Sequence, residues 1–97
     1  MTPEGRIESY FVKQCKAHGL LCYKFTAPST AGVPDRITIG NGRTVFVELK
    51  APGEKPRALQ KAIHKQIQAH GGTVFVIDTK DGVDDFIHLM TCKKATR

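Results

Sequence analysis

The stretch that most constrains the fold of this chain is residues 33–50, which read VPDRITIGNGRTVFVELK. Within it, two short apolar runs at 37–39 and 45–49 flank a Gly-Asn-Gly turn at 40–42. Runs of β-branched and aromatic residues bounded by glycine and asparagine are typical of a β-hairpin. The sequence therefore predicts two antiparallel strands joined by a tight turn.

Three charged groups fall at the ends of this predicted hairpin. Asp35 opens the first strand, and Glu48 and Lys50 close the second. Alternate residues of a strand share a face, so Glu48 and Lys50 lie on one side, about 7 Å apart at roughly 3.3 Å per residue. The start of one strand lies beside the end of its antiparallel partner, so Asp35 is expected close to Glu48. Two carboxylates and one ammonium group are thus predicted to converge.

This patch has two interpretations. Paired carboxylates repel each other, and a divalent ion such as Mg²⁺ relieves the repulsion while it keeps several waters. Lys50 could then orient or deprotonate a water, or offset charge that develops on a phosphate. Alternatively, Lys50 forms an edge-strand salt bridge with Glu48 or Asp35, which contributes little to stability. The residues alone leave both interpretations open.

Composition restricts the partners and the compartment. Ninety-seven residues permit one domain with one modest core, predicted here to span 1–97. The formal net charge of +6 favours a polyanionic partner such as nucleic acid. A long apolar run and a signal-peptide pattern are both missing, which favours a cytoplasmic protein with no membrane partner. Three cysteines without C-x-x-C spacing argue against a disulfide framework and against a zinc site.

The remaining segments alternate between helical and strand patterns. Helices are predicted at about 3–18, 57–69 and 83–90, strands at 20–26 and 73–77, and a frayed basic tail at 93–97. With the hairpin, the order is α-β-β-β-α-β-α. The run TVFVI at 73–77 is typical of a central strand buried on both faces.

The second predicted helix carries an apolar stripe and two histidines. Its inward-facing residues are predicted to be Leu59, Ile63, Ile67 and His70. Neither His64 nor His70 forms an H-x-x-x-H pair, so both are expected to have ordinary surface or packing roles.

The hairpin and its flanks resemble a nuclease signature. Pro34-Asp35 followed by Glu48-Leu49-Lys50 is similar to the PD-(D/E)xK motif of metal-dependent nucleases. The fuller pattern resembles the VRR-NUC branch of that superfamily, in particular its small stand-alone, phage-type members, through Lys24-Phe25, the run GVPDR at 32–36, the run VELKAP at 47–52, and Gln60. This resemblance covers most of the chain, from Glu4 to about Ile87. It implies an α/β fold with a restriction-endonuclease-like αβββαβ core, in which helices flank a mixed central sheet.

The resemblance also implies roles for individual residues. It suggests a Mg²⁺- or Mn²⁺-dependent endonuclease of DNA without a small-molecule cofactor, in which Asp35, Glu48 and the backbone carbonyl of Leu49 hold the ion. An acidic residue of the first helix, here Glu8, often reaches the metal in this superfamily. Lys50 and Gln60 would complete the catalytic pocket. The DNA contacts implied by the resemblance and the basic pattern are Lys24, Ser29, Thr30, Arg36, Arg57, Lys61 and Lys65.

Several of these flanking residues also have ordinary interpretations. Glu8 could be a solvated residue beside the buried stripe, and Glu4 competes with it for the metal, although the helix dipole already explains an acid in the first turn. The basic row 57, 61 and 65 has the spacing of a solvated helix face. Gln60 could merely cap a strand end.

The small size of the chain bears on its substrate. A nuclease of this size has little surface for reading bases, so selection of branched DNA by shape is expected. Stand-alone members of the family act as dimers on four-way junctions, and two sites related by a two-fold axis suit that symmetry. We therefore expect a homodimer that resolves four-way (Holliday) junctions in a bacterial or phage-infected cytoplasm. Alternatives are a flap or duplex-end nuclease of the same chemistry, or a non-catalytic DNA-binding module.

Overall fold

A computed structural model describes residues 1–92 of the chain as helices around a four-stranded sheet. The elements are α1 (Pro3–Ala17), β1 (Leu21–Lys24), β2 (Arg36–Gly40), β3 (Arg43–Leu49), α2 (Ala58–Ala69), β4 (Val74–Ile77) and α3 (Lys80–Thr91). The predicted order of elements is confirmed. The basic tail predicted at 93–97 lies outside the described residues. Among residues 1–92, none of the helices has the length and apolar character needed to cross a membrane.

The predicted hairpin forms between β2 and β3. Its two-residue turn consists of Asn41 and Gly42, whose φ angles of 53° and 76° are the positive values that a type I′ turn requires. The turn sets the register, in which Arg36 lies opposite Val47. Continuing that register by one residue brings Asp35 to Glu48 at the open end of the hairpin.

The sheet has the order β1-β2-β3-β4, with β1, β2 and β3 antiparallel and β3 and β4 parallel. Helix α2 connects the two parallel strands. One face of the sheet packs against α1 and α3 and forms the core, where the ring centroids of Phe11 and Phe86 lie 5.4 Å apart. The buried apolar residues of this core include Ile7, Phe11, Cys15, Val45, Val47, Leu49, Ile77, Val83, Ile87 and Met90.

Strand β4 lies at an edge of the sheet, so the prediction of a central strand is wrong. It pairs with β3 on one side, and no other strand of residues 1–92 pairs with its second side. Ile77 is buried against the core, but Val76, which points to the other face, is 45% exposed. A run of apolar residues indicates that a strand faces the core. It does not indicate how many strands pair with it.

Helix α2 is rotated relative to its predicted orientation. Leu59 is 56% exposed and His70 is exposed, while Ile63 and Ile67 are half-buried, so the predicted inward stripe is wrong. The buried residue of α2 is His64. Part of the apolar stripe covers the loop before β2, where a Cβ added at Gly32 would lie 3.1 Å from the Leu59 carbonyl oxygen. The rotation turns a polar face of α2 toward the sheet.

Candidate active site

Asp35 and Glu48 meet where the hairpin ends. Oδ2 of Asp35 accepts a hydrogen bond from the backbone N–H of Leu49 at 2.8 Å. This bond ties the residue before β2 to the last residue of β3, and it fixes the Asp35 carboxylate beside the neighbouring Glu48. The negative charge of Asp35 contributes to raising the pKa of Glu48, as expected for adjacent acids.

The Glu48 carboxylate is buried, with its side chain only 2% exposed. Its Oε2 accepts a hydrogen bond from Nε2 of Gln60 at 2.9 Å and lies 3.4 Å from Nζ of Lys50. Its Oε1 is buried without a hydrogen-bond partner. One oxygen of the carboxylate is therefore held by two donors, and the other is not satisfied.

Burial raises the pKa of Glu48 to about 7, the charge of Asp35 acts in the same direction, and the Lys50 ammonium opposes both. The ionised form is therefore disfavoured in the protein alone, and a nearby divalent cation would stabilise it. Together with the unsatisfied Oε1, this fits a carboxylate pair that binds a metal ion. Within residues 1–92, no group of three or more His, Cys, Asp or Glu side chains gathers as a metal site. Two carboxylates with backbone and water oxygens is the coordination that Mg²⁺ usually takes.

Lys50 and Gln60 are positioned by backbone contacts. The N–H of Lys50 donates to the carbonyl of Ile77 at 2.9 Å, which extends the contact between β3 and β4 by one residue. The Gln60 amide is oriented from its other side, because its Oε1 accepts a hydrogen bond from the N–H of Arg57 at 2.9 Å, at the start of α2. Its Nε2 is thereby directed at Glu48.

His64 joins this group, although the sequence interpretation expected an ordinary role for it. It is 6% exposed, and its Nε2 lies 4.0 Å from Oε1 of Glu48. Burial and the Lys50 charge lower its pKa. The i,i+4 spacing from Gln60 is the signal that could have found it, because residues four apart share one face of a helix.

The two acids of α1 have different surroundings. Glu8 pairs with Nη2 of Arg36 at 2.9 Å. Glu4 lines a cleft with Glu8 and Ala51 on one side and an adjoining cleft with Lys50 on the other. The charge of Glu4 also contributes to raising the pKa of Glu48. Glu8 therefore pairs with Arg36, whereas the charge of Glu4 acts on Glu48.

The residues predicted to contact DNA fall into two groups. Arg36 is 12% exposed, and besides Glu8 it contacts Sγ of Cys22 at 3.9 Å, so the structure does not bring its guanidinium to the surface. The other predicted contacts are all exposed, namely Lys24, Ser29, Thr30, Arg57, Lys61 and Lys65. Arg57 lines the same cleft as Lys50. The exposed row on α2 therefore begins at the candidate site.

Known proteins resemble this chain over most of its length. No profile of a known protein family matches it. A phage protein, "Putative nuclease p44" of Acyrthosiphon pisum secondary endosymbiont phage 1, is 43% identical over 79 residues, which are 80% of this chain and 85% of that protein. A solved structure described as "VRR_NUC domain" matches with a TM-score of 0.82 and 31% identity, over 91% of this chain and 97% of that chain. Each likeness covers at least 80% of this chain.

Proposed function

The chain belongs to the VRR-NUC family of nucleases, and from that premise we propose that it is a divalent-metal-dependent endonuclease that cuts branched DNA. It has the restriction-endonuclease-like α/β fold of the family and is a nuclease of that type. The observation that carries the proposal is the buried Glu48, whose pKa is raised to about 7 beside Asp35. A fold without a catalytic role gains nothing from burying one acid beside another, since removing the charges would stabilise it.

We assign the binding of a Mg²⁺ or Mn²⁺ ion to Asp35, Glu48 and the backbone carbonyl of Leu49. When bound, such an ion polarises a phosphate and lowers the pKa of a bound water. Glu8 was the expected acid of α1, but its charge is compensated by Arg36 at 2.9 Å. Glu4 is the α1 carboxylate that acts electrostatically on Glu48. We therefore favour Glu4 over Glu8 as the additional acid at this site.

Lys50 and Gln60 act on the chemistry in different ways. The Lys50 ammonium lies 3.4 Å from Glu48, where it orients the attacking water and offsets negative charge in the transition state. Gln60 holds Oε2 of Glu48 through one hydrogen bond and has its own amide fixed by the start of α2. A carboxylate with a fixed orientation costs less reorganisation when the reaction proceeds.

The substrate is bound through its phosphates along α2. Arg57, Lys61 and Lys65 are exposed at i,i+4 spacing, and Arg57 shares a cleft with Lys50. Such a row binds a polyanionic backbone without reading bases, and the net charge of +6 strengthens it. This arrangement supports recognition of DNA shape. We propose that the protein acts in the cytoplasm of a bacterium or of a phage-infected host.

The proposed homodimer uses the face of the sheet that lies opposite to α1 and α3. Cross-strand pairing places Leu21, Tyr23 and Val76 on the same face as Ile37 and Phe46. Leu21 is 52% exposed, Tyr23 58% and Val76 45%, so apolar side chains of this face remain uncovered in one copy. Exposed apolar side chains that share one face of a sheet offer a surface for an interface. We propose that a second copy covers it, which gives two catalytic sites related by a two-fold axis, the symmetry of a four-way junction.

Tyr23→Glu is expected to convert the dimer into a monomer in sedimentation experiments, because it would bury an unpaired charge in the interface. Leu89→Glu is the matched control, since Leu89 is also exposed (45%) but lies on α3, at the other face of the sheet. It should sediment like the wild type. A wild-type protein that stays monomeric both free and on DNA would remove the dimer from the proposal.

The catalytic proposal is tested with a labelled four-way junction, a 5′ flap and a linear duplex of equal length. Each is incubated with Mg²⁺, Mn²⁺ or EDTA, with Glu48→Gln as the inactive control. Paired symmetric nicks in the junction alone, lost with EDTA and in the control, are the expected result. Flap or duplex-end cutting would keep the chemistry and change the substrate. Binding without cutting of any of the three would leave a DNA-binding module.

A further inference from the structure

Helix α2 directs two side chains, one turn apart, at the two oxygens of one carboxylate. Gln60 donates to Oε2 of Glu48 at 2.9 Å, whereas Nε2 of His64 lies 4.0 Å from Oε1. Both Oε1 and Nε2 are buried and have no hydrogen-bond partner. Two buried polar atoms therefore face each other unsatisfied, at the centre of the proposed site.

Leaving both atoms without a partner destabilises the folded protein unless they can form a hydrogen bond with each other. A buried polar group without a partner loses its hydrogen bonds to water and gains none in return. A hydrogen bond needs the two atoms only about 1 Å closer, a shift within the range of side-chain movement. Solvent reaches neither atom. A hydrogen bond between Oε1 and Nε2 would satisfy both atoms.

We propose that His64 is a positioning residue of the nuclease site, whose Nε2–H donates to Oε1 of Glu48. With Gln60 on the other oxygen, it fixes the plane of the carboxylate that is proposed to hold the ion. This inference rests on the proposed function, because it assigns a purpose to the orientation of Glu48. It also accounts for the buried position of a histidine on a helix whose apolar residues are partly exposed.

The first test is the tautomer of His64 in the metal-free protein. Long-range ¹H–¹⁵N correlation spectra distinguish a ring protonated at Nε2 from one protonated at Nδ1. The Nε2–H form is expected for His64, and its signals should shift in Glu48→Gln, while those of His70 should not. A ring protonated at Nδ1 would direct a lone pair at the carboxylate and would overturn the proposal.

The second test compares His64→Leu with His64→Gln, whose amide nitrogen can take the position of Nε2. Loss of a residue that orients a ligand typically weakens metal binding or activity about 10–100-fold. His64→Leu should weaken Mn²⁺ binding, followed by electron paramagnetic resonance of the free ion, by that factor. It should lower kcat without raising KM for DNA. His64→Gln should recover most of both losses, and His70→Leu on the exposed side of the same helix should change neither.

The outcomes separate this inference from the proposed function. If the wild type binds no Mn²⁺ and cuts no DNA, the proposed function fails and this role fails with it. If the wild type does both and His64→Leu equals it, only the role of His64 is overturned. If His64→Gln is as weak as a folded His64→Leu, the donor at this position is not what matters, and the proposal is also overturned.

Discussion

Replacement of Lys50 by alanine is expected to lower cleavage of branched DNA by about 10³-fold while DNA binding stays within about threefold of the wild type. The ammonium lies 3.4 Å from Oε2 of Glu48 with its side chain 10% exposed, so it is directed at the acid pair rather than at solvent. The proposed phosphate contacts are the exposed basic residues Arg57, Lys61 and Lys65, which the substitution leaves intact.

Lys55→Ala is the matched control for this experiment. Lys55 lines the same cleft as Lys50 but is exposed, so its loss removes an equal charge without touching Glu48. Single-turnover cleavage and equilibrium binding should be measured on the same four-way junction. The backbone N–H of Lys50 keeps its bond to Ile77 in the variant, so folding should survive, which a thermal melt can check. Full cleavage by Lys50→Ala would remove Lys50 from the catalytic assignment.

The hairpin could be predicted from sequence because its determinants are local. Positive φ at Asn41 and Gly42 is a property of the turn residues themselves, and a two-residue turn sets the register of both strands. That register alone brings Asp35 beside Glu48. The same rule also contains a signal that the sequence interpretation did not use. Arg36 pairs with Val47, so it shares the face that packs against α1, opposite to the face of Glu48.

The orientation of α2 could not be predicted in the same way. Periodicity predicted an inward-facing apolar stripe, yet Leu59 is 56% exposed and His64 is buried. The reason lies in tertiary structure, since the sheet offers this helix a buried carboxylate with hydrogen-bond acceptors. Gln60 and His64 can donate hydrogen bonds to those acceptors, and leucine cannot. Where a functional group is buried, the orientation that the hydrophobic pattern predicts differs from the observed packing. Such a disagreement is typical of functional sites.

The burial of Glu48 and Lys50 also could not be predicted from the sequence. Glu48 and Lys50 alternate with core residues along β3, which by itself indicates a solvent-facing side. In the structure they are only 1% and 8% exposed. Gln60 and His64 of α2, which follows in the chain, lie against Glu48 at the end of β3. Strand alternation specifies which face a side chain takes, but not what lies on that face.

Glu48→Gln is expected to abolish cleavage and, at the same time, to stabilise the metal-free protein at pH 8. The amide cannot ionise, so it resembles the protonated carboxyl group. Burial and Asp35 raise the pKa of Glu48 to about 7, from an ordinary value of 4.5, despite the opposing charge of Lys50. Between these two values the folded state binds more protons than the unfolded state. The stability of the metal-free wild type therefore falls as the pH rises from about 4.5 to about 7.

The gain in stability of the Glu48→Gln variant should mirror the loss of stability in the metal-free wild type. It is expected to be at most about 3 kcal/mol at pH 8 and to vanish near pH 4.5, at about 1.4 kcal/mol per unit of pKa difference. Urea unfolding in EDTA at both pH values measures it, and Glu54→Gln, which replaces an exposed acid, should show no such gain. Adding Mn²⁺ should stabilise the wild type more than the Glu48→Gln variant, because binding to the folded state alone raises stability. A variant that is less stable than the wild type in EDTA at pH 8 would mean that the charge of Glu48 supports the fold. Glu48 and Lys50 would then form a structural ion pair, and the proposed cation site would lose its support.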